Sequence, residues 1–173
     1  LIHRDIKIEN VLVDKDNNFK VADFGSTSKI GNIAQTDQDI AVAAQDIFVH
    51  TTPQYRSPEM IDLYKYLPIN ETSDMWALGV FLYKLLFYIT PFEMTGQFAI
   101  LHSKFTYPEN QYPQEFISLI SALLMENPHM RPNVYQVLEV ICNFRHVDIP
   151  LHDKYNKGPY DFPMQVDYPH KPN

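Results

Sequence analysis

An ordered run of polar residues at the start of the chain leaves few ways to fold it. His3-Arg4-Asp5-Ile6-Lys7-Ile8-Glu9-Asn10 is followed by two short apolar runs, Val11 to Val13 and Phe19 to Ala22, and then by Asp23-Phe24-Gly25. The runs are rich in β-branched residues and flank the turn-forming stretch Asp14-Lys15-Asp16-Asn17-Asn18, which predicts a β-hairpin. Such a hairpin returns Asp23 to Asn10. A carboxylate and an amide oxygen brought together in this way suit Mg²⁺, a hard ion that takes oxygen ligands and shares its shell with nucleotide phosphates. Asp5, on the preceding loop, is placed to accept or orient the proton of a substrate hydroxyl. Lys7, two residues on along an extended loop, can sit beside a transferred phosphoryl group and offset its developing charge.

Composition narrows the rest. With 173 residues, 45% of them apolar, the chain can bury one sizeable core. Fourteen Lys and Arg against 21 Asp and Glu give a net charge of −7, which disfavours generic adhesion to nucleic acid or to anionic membranes. Any phosphate chemistry must therefore come from a local site. The single cysteine, Cys142, cannot form an internal disulfide, and no apolar run approaches the roughly 20 residues of a membrane span, so a reducing cytoplasm is the expected location. Histidines other than His3 lack ligand spacing, and no structural zinc site is expected.

After the hairpin, the Ser/Thr/Gln/Asp-rich stretch from Gly25 to about Thr52 reads as a long mobile loop, with Ile40 to Ile47 long enough for a helical turn or two. Helices are then predicted from Pro58 to about Tyr66 and from Thr72 to Tyr88. The second carries a Thr or Ser cap and apolar residues nearly all round, as a helix at the centre of a bundle does. Further helices are predicted at Gly96 to Ser103, Gln114 to Met125 and Asn133 to Phe144, the last introduced by Pro132. From Ile149 onward prolines multiply and periodicity vanishes, which predicts an extended tail, packed along the surface or disordered. The fold class is thus mainly α with a small β-hairpin.

The eight fixed positions His3, Arg4, Asp5, Lys7, Asn10, Asp23, Phe24 and Gly25 resemble the catalytic loop and magnesium-binding triplet of eukaryotic protein kinases. Chance would match such a set on the order of 10⁻¹⁰ times per start point. The resemblance covers roughly residues 1 to 144 and implies a kinase-like C-terminal lobe, with residues 1–148 a partial kinase domain and 149–173 a Pro-rich extension. It implies ATP and Mg²⁺ as cofactors, Asp5 as base, Lys7 as phosphate stabiliser, and Asn10 and Asp23 on the metal. Thr51-Thr52-Pro53-Gln54-Tyr55-Arg56-Ser57-Pro58-Glu59 is similar to the end of a kinase activation segment, with Ser57 in place of the usual alanine. By the same resemblance Thr52 bonds Lys7 and Asp5, as in serine/threonine kinases, and Glu59 forms a buried ion pair with Arg131. Asp74 holds the catalytic loop by backbone hydrogen bonds, and His3 and Phe24 pack in the kinase core. Arg4, beside Asp5, suggests a loop ordered by an anion of the activation segment, with Ser26, Thr27, Ser28, Thr36 and Thr51 as candidate phosphorylation sites. For each of these, an unmodified hydroxyl in a polar loop is the simpler reading.

The 14 residues between Glu59 and Asp74, with Asp23-Phe24-Gly25-Ser26 and Tyr83-Lys84-Leu85-Leu86, are similar to the Numb-associated kinase family. Ile6 to Val13, Thr52 to Glu59, Pro91-Phe92-Glu93 and Gly158-Pro159-Tyr160 most resemble its fungal Ark/Prk actin-regulating kinases. That resemblance implies phosphorylation of endocytic coat adaptors, on threonine followed by glycine, at cortical actin patches. No G-x-G-x-x-G and no V-A-I-K lysine occurs, so a nucleotide-covering N-terminal lobe is expected upstream and the fragment alone is expected to be inactive. Two other readings stand beside this one. A pseudokinase or scaffold would bind partners through the helical lobe, but it has no need of a complete base and metal set. A small-molecule kinase is disfavoured by the full activation segment through Pro58-Glu59.

Overall fold

The computed structural model describes residues 1–29 and 36–163. A two-stranded antiparallel hairpin, β1 (Val11–Val13) and β2 (Phe19–Val21), is followed by α1 (Asp37–His50), the single turn α2 (Pro58–Ile61), α3 (Glu71–Phe87), α4 (Gly96–Leu101), α5 (Gln114–Leu123) and α6 (Val134–Arg145). Val11 pairs with Val21 and Val13 with Phe19, which leaves Asn10 facing Ala22 at the open end of the ladder. There Ala22 N donates to Asn10 O at 2.8 Å. The strands expose Leu12, Val13, Phe19 and Val21, so these hydrogen bonds, and not a core, hold the hairpin in place.

Helix α3 is the axis of the lobe. Trp76 and Val80 are fully buried, and Tyr83 nearly so. They pack with Tyr55, Phe92, Ile100, Ile120 and Leu124, where Trp76 stacks on Phe92 with ring centroids 5.5 Å apart. Each such side chain contributes about 1.5–3 kcal/mol by leaving water. A second cluster, Met75, Leu119, Leu123 and Val137, joins α3 to α5 and α6. Gly79 permits this contact, because a Cβ there would stand 2.9 Å from Leu123 Cβ and 2.9 Å from Leu124 Cδ2.

A buried ion pair closes the core. Arg131 Nη1 donates to Glu59 Oε1 and Nη2 to Glu59 Oε2, both at 2.8 Å, between side chains fully withdrawn from water. The remaining guanidinium hydrogens reach Met125 O, Thr72 O and Glu126 O, and Ser73 Oγ donates to Glu59 Oε1. All five donors of the guanidinium are thereby used. The Trp76 ring lies 5.0 Å from the guanidinium carbon, adding a cation–π contact.

Three expectations need correction. Residues 37–50, within the stretch read as a mobile loop, form a 14-residue helix, with Thr36 and Asp39 making a reciprocal capping box. Only Ile40 and Ile47 of this helix are buried, and so narrow an apolar stripe left its periodicity weak. The helix predicted from Pro58 to Tyr66 breaks at Asp62, whose side chain caps a separate 3-10 turn, Leu63–Lys65. Asn70, not Thr or Ser, caps α3, and Asn133 caps α6, placing Pro132 before that helix. The tail, expected to be either packed along the surface or disordered, is packed along the surface within the described residues: Gln136 Nε2 donates to Gly158 O and Tyr160 Oη to Met130 O. Its last ten residues lie outside the described residues.

Two substitutions test this packing. Gly79→Ala should cost about 1–3 kcal/mol by overpacking, read as a lower urea midpoint. Arg131→Ala should cost about 3–5 kcal/mol, because Glu59 is left charged and unpaired in the core. A Glu59→Leu/Arg131→Met double variant should recover most of that loss.

Candidate active site

The catalytic-loop sequence folds as it does because Asp74, at the start of α3, accepts two consecutive backbone N–H groups, His3 N at 2.7 Å and Arg4 N at 2.9 Å. Arg4 adopts a left-handed backbone, φ 70°, which aims both amides at one carboxylate. Burial pushes the Asp74 carboxyl up, against the pull of those two amides and of His3. The His3 ring accepts from Asp5 N at 3.3 Å and bonds Ala22 O at 3.2 Å through its other nitrogen, tying the loop to the hairpin. Phe24 leans on His3 with centroids 5.1 Å apart, while most of its own ring stays exposed.

Asp5 is buried at the centre of this arrangement. Lys7 Nζ lies 2.6 Å from Asp5 Oδ2, and Asn10 Nδ2 donates to the same oxygen at 3.1 Å and to Asp5 O at 2.9 Å. From the far side Thr52 Oγ1 donates to Asp5 Oδ1 at 2.6 Å and accepts from Lys7 Nζ at 3.0 Å. Burial alone would raise the Asp5 carboxyl, but hydrogen bonds from Lys7, Thr52 and Asn10 and the Lys7 charge outweigh it and hold the group below its ordinary value. A carboxylate offers about four acceptor sites, and Lys7, Asn10 and Thr52 take three. The last, on Oδ1, has no partner among the described residues.

Asn10 commits its amide hydrogens to Asp5, which leaves its oxygen for a cation. Asp23 follows Ala22 at the open end of the hairpin, is exposed, and has a left-handed backbone (φ 60°, ψ 70°), with one oxygen accepting Gly25 N at 3.4 Å. A Cβ at Gly25 would come within 3.3 Å of that oxygen. Two hard oxygen donors, few for a cage of protein ligands alone, fit a magnesium ion that completes its shell with phosphate and water. Among the described residues no cluster of three or more His, Cys, Asp or Glu could hold a metal by itself.

A sequence model described as "Protein kinase domain" matches residues 1–141. The chain belongs to the protein kinase family. It is 64% identical over 99% of its length to the serine/threonine-protein kinase AKL1 of Saccharomyces cerevisiae. It is 51% and 50% identical, over 90% and 88% of its length, to the actin-regulating kinases PRK1 and 1 of the same yeast. The chain spans only 15%, 19% and 24% of these three relatives. No described helix is long and apolar enough to cross a membrane.

For Thr51 the structure agrees with the simpler reading, an unmodified hydroxyl. Its buried hydroxyl donates to Ile47 O at 2.6 Å and accepts from Arg56 Nε at 2.7 Å, so it serves the end of α1. Thr36 Oγ1 caps the other end. Sequence reasoning overlooked three contacts around the site: Arg4 with Asp46, Lys84 Nζ with Glu9 Oε1 at 3.0 Å, and Arg56 with the carbonyls of Phe48 and Thr51. Each joins positions far apart or in unlike elements. No local pattern announces them.

The depressed Asp5 carboxyl carries a pH signature. Because its folded value lies below its unfolded one, its stabilisation is complete above the ordinary carboxylate range and is lost as pH falls through the folded value. The difference in urea midpoint between the wild-type protein and Asp5→Asn should therefore be flat from pH 7 to about pH 5 and shrink below about pH 4. A difference that grows on acidification would contradict the arrangement.

Proposed function

We propose that this chain is the C-terminal catalytic lobe of a serine/threonine kinase that transfers the γ-phosphate of ATP to threonine or serine of protein substrates. Residues 1–148 are its catalytic part and 149–173 an appended extension. The observation that carries the reading is the Asp5–Lys7–Thr52 triangle, in which a carboxylate kept ionised retains one acceptor site beside a lysine ammonium. That site accepts and orients the substrate hydroxyl, and Asp5 takes its proton as the bond to phosphorus forms. Lys7 offsets charge on the transferred group. Asn10 and Asp23 would hold Mg²⁺, which supplies neutralisation of the nucleotide phosphates when bound.

A nucleotide needs a second wall. The exposed apolar hairpin side chains Leu12, Val13, Phe19 and Val21 are a fitting face for an upstream lobe to cover. Two of the relatives are named actin-regulating kinases, which supports an actin-related role for this protein; substrates among endocytic coat adaptors and a place in the cytoplasm at cortical actin patches are the reading its motif resemblance adds. The scaffold reading is disfavoured because a binding surface gains nothing from a buried, ionised Asp5 that keeps one acceptor site beside the Lys7 ammonium.

The test is phosphate incorporation from ATP into a threonine-glycine peptide in Mg²⁺, by a form of the protein that carries the upstream lobe. Asp23→Ala should lower incorporation by about 10²-fold or more, and the 173-residue chain alone should show none. A folded, nucleotide-binding form that transfers nothing would move the assignment to a scaffold.

A further inference from the structure

Two residues of the tail, Gly158 and Tyr160, grip the lobe on either side of Arg131. Tyr160 Oη donates to Met130 O at 2.7 Å, just before the arginine, and Gly158 O accepts from Gln136 Nε2 at 3.0 Å, at the start of α6. The turn between those points carries the guanidinium that holds Glu59. A segment beyond the last helix therefore touches the frame of the buried ion pair.

Both ends of this grip are specified by the residues that make it. Gln136 is buried, and its side chain is divided: Oε1 accepts Asn133 N in the capping box of α6, while Nε2 goes to the tail. Were the tail to leave, a buried donor would lose this partner, which is unfavourable. Gly158 has φ +70°, and a Cβ there would meet nothing within 4 Å, so the backbone turn and not packing calls for glycine. Pro159 follows, its φ fixed by the ring and its nitrogen without a hydrogen to satisfy. The Tyr160 ring is half-buried and edge-on to Phe162, with centroids 5.0 Å apart. Burial and the neighbouring Asp161 push its hydroxyl up, so it keeps the proton that it donates.

The tail meets the same region a second time. Tyr155 and Lys157 wall a cavity of about 250 Å³ whose other walls include Arg131, Thr72 and Asn133. Thr72 O is one of the acceptors of the guanidinium. A tail laid loosely on the surface has no need of a left-handed glycine, a buried glutamine and a tyrosine hydroxyl directed at positions that bracket one residue.

We propose that Gly158-Pro159-Tyr160 is a latch, by which the tail docks on Met130 and Gln136 and fixes the turn that presents Arg131 to Glu59. Through that pair it steadies residues 52–59, the stretch whose first hydroxyl bonds Asp5 and Lys7. The extension is then a working part of the lobe.

Hydrogen exchange in the full-length protein tests the latch, followed at the amides of residues 53–62, 126–137 and α5 in wild type, Tyr160→Phe, Gly158→Ala and Gly158→Asn. Tyr160→Phe keeps the ring and removes one hydroxyl. It should raise exchange in both 53–62 and 126–137 by about fivefold, the scale of one hydrogen bond. Gly158→Ala should do the same through its strained left-handed backbone, whereas Gly158→Asn, which tolerates that conformation, should stay within about twofold of wild type. A rise confined to 126–137 or to α5, with 53–62 unchanged, marks an ordinary packing contact and overturns the proposal. So does an equal rise in Gly158→Ala and Gly158→Asn. No step requires phosphate transfer, so the outcome is independent of the proposed function.

Discussion

The ion pair of Glu59 and Arg131 is the contact on which the rest of the lobe depends. It joins α2, the end of the activation segment, to the entrance of α6, residues 72 positions apart. It also carries the segment from Met125 to Arg131 and the first turn of α3 through hydrogen bonds to Met125, Glu126 and Thr72. Removing two charges from water is expensive, and the cost is offset only when every remaining donor finds a partner. Here all five do. A hydrophobic pair of the same volume could serve stability as well, but it would not set the rotation of α2 about its own axis, and that rotation determines where the preceding residues lie.

Those preceding residues reach the active site. Six positions before Pro58, Thr52 meets Asp5 and Lys7, so the buried pair anchors one end of the segment whose other end shapes the base. From the opposite side Asp74, three residues into α3, takes the amides of His3 and Arg4. The catalytic loop has little regular structure of its own beyond the short 3-10 turn Ile8–Asn10. Its geometry is borrowed from α3 and the activation segment, elements held by the core, which is how a precise site is built on a loop. The same arrangement sets the electrostatics: burial would favour a protonated Asp5, and three donors from two elements reverse the outcome.

Much of this was legible beforehand, unevenly. The hairpin could be read because β-branched runs flank an Asp/Asn turn, and α3 because seventeen residues without a breaker are capped at one end and apolar on most faces. Helix α1 was read as a loop because two buried isoleucines among polar and small residues carry little periodic signal, although Thr36 and Asp39 stood at capping-box spacing. The sequence leaves open whether the tail packs on the surface, because its contacts are a tyrosine hydroxyl and a backbone carbonyl meeting groups 22 and 30 residues away. Such bonds have no periodicity to detect.

The sequence by itself determined the kind of chemistry. Asp5, Lys7, Asn10 and Asp23 bring carboxylates, a cation and an amide whatever surrounds them, and the short hairpin returns Ala22, next to Asp23, to Asn10. The bundle, too, follows from local spacing and punctuation. Tertiary structure alone decided the state and company of those groups: that Asp5 stays ionised, that Thr52 closes over it, that Arg4 finds Asp46. The reason is physical. Local order follows from interactions within a few residues, whereas desolvation and ion pairing depend on which distant surfaces are pressed together, and only packing around α3 settles that.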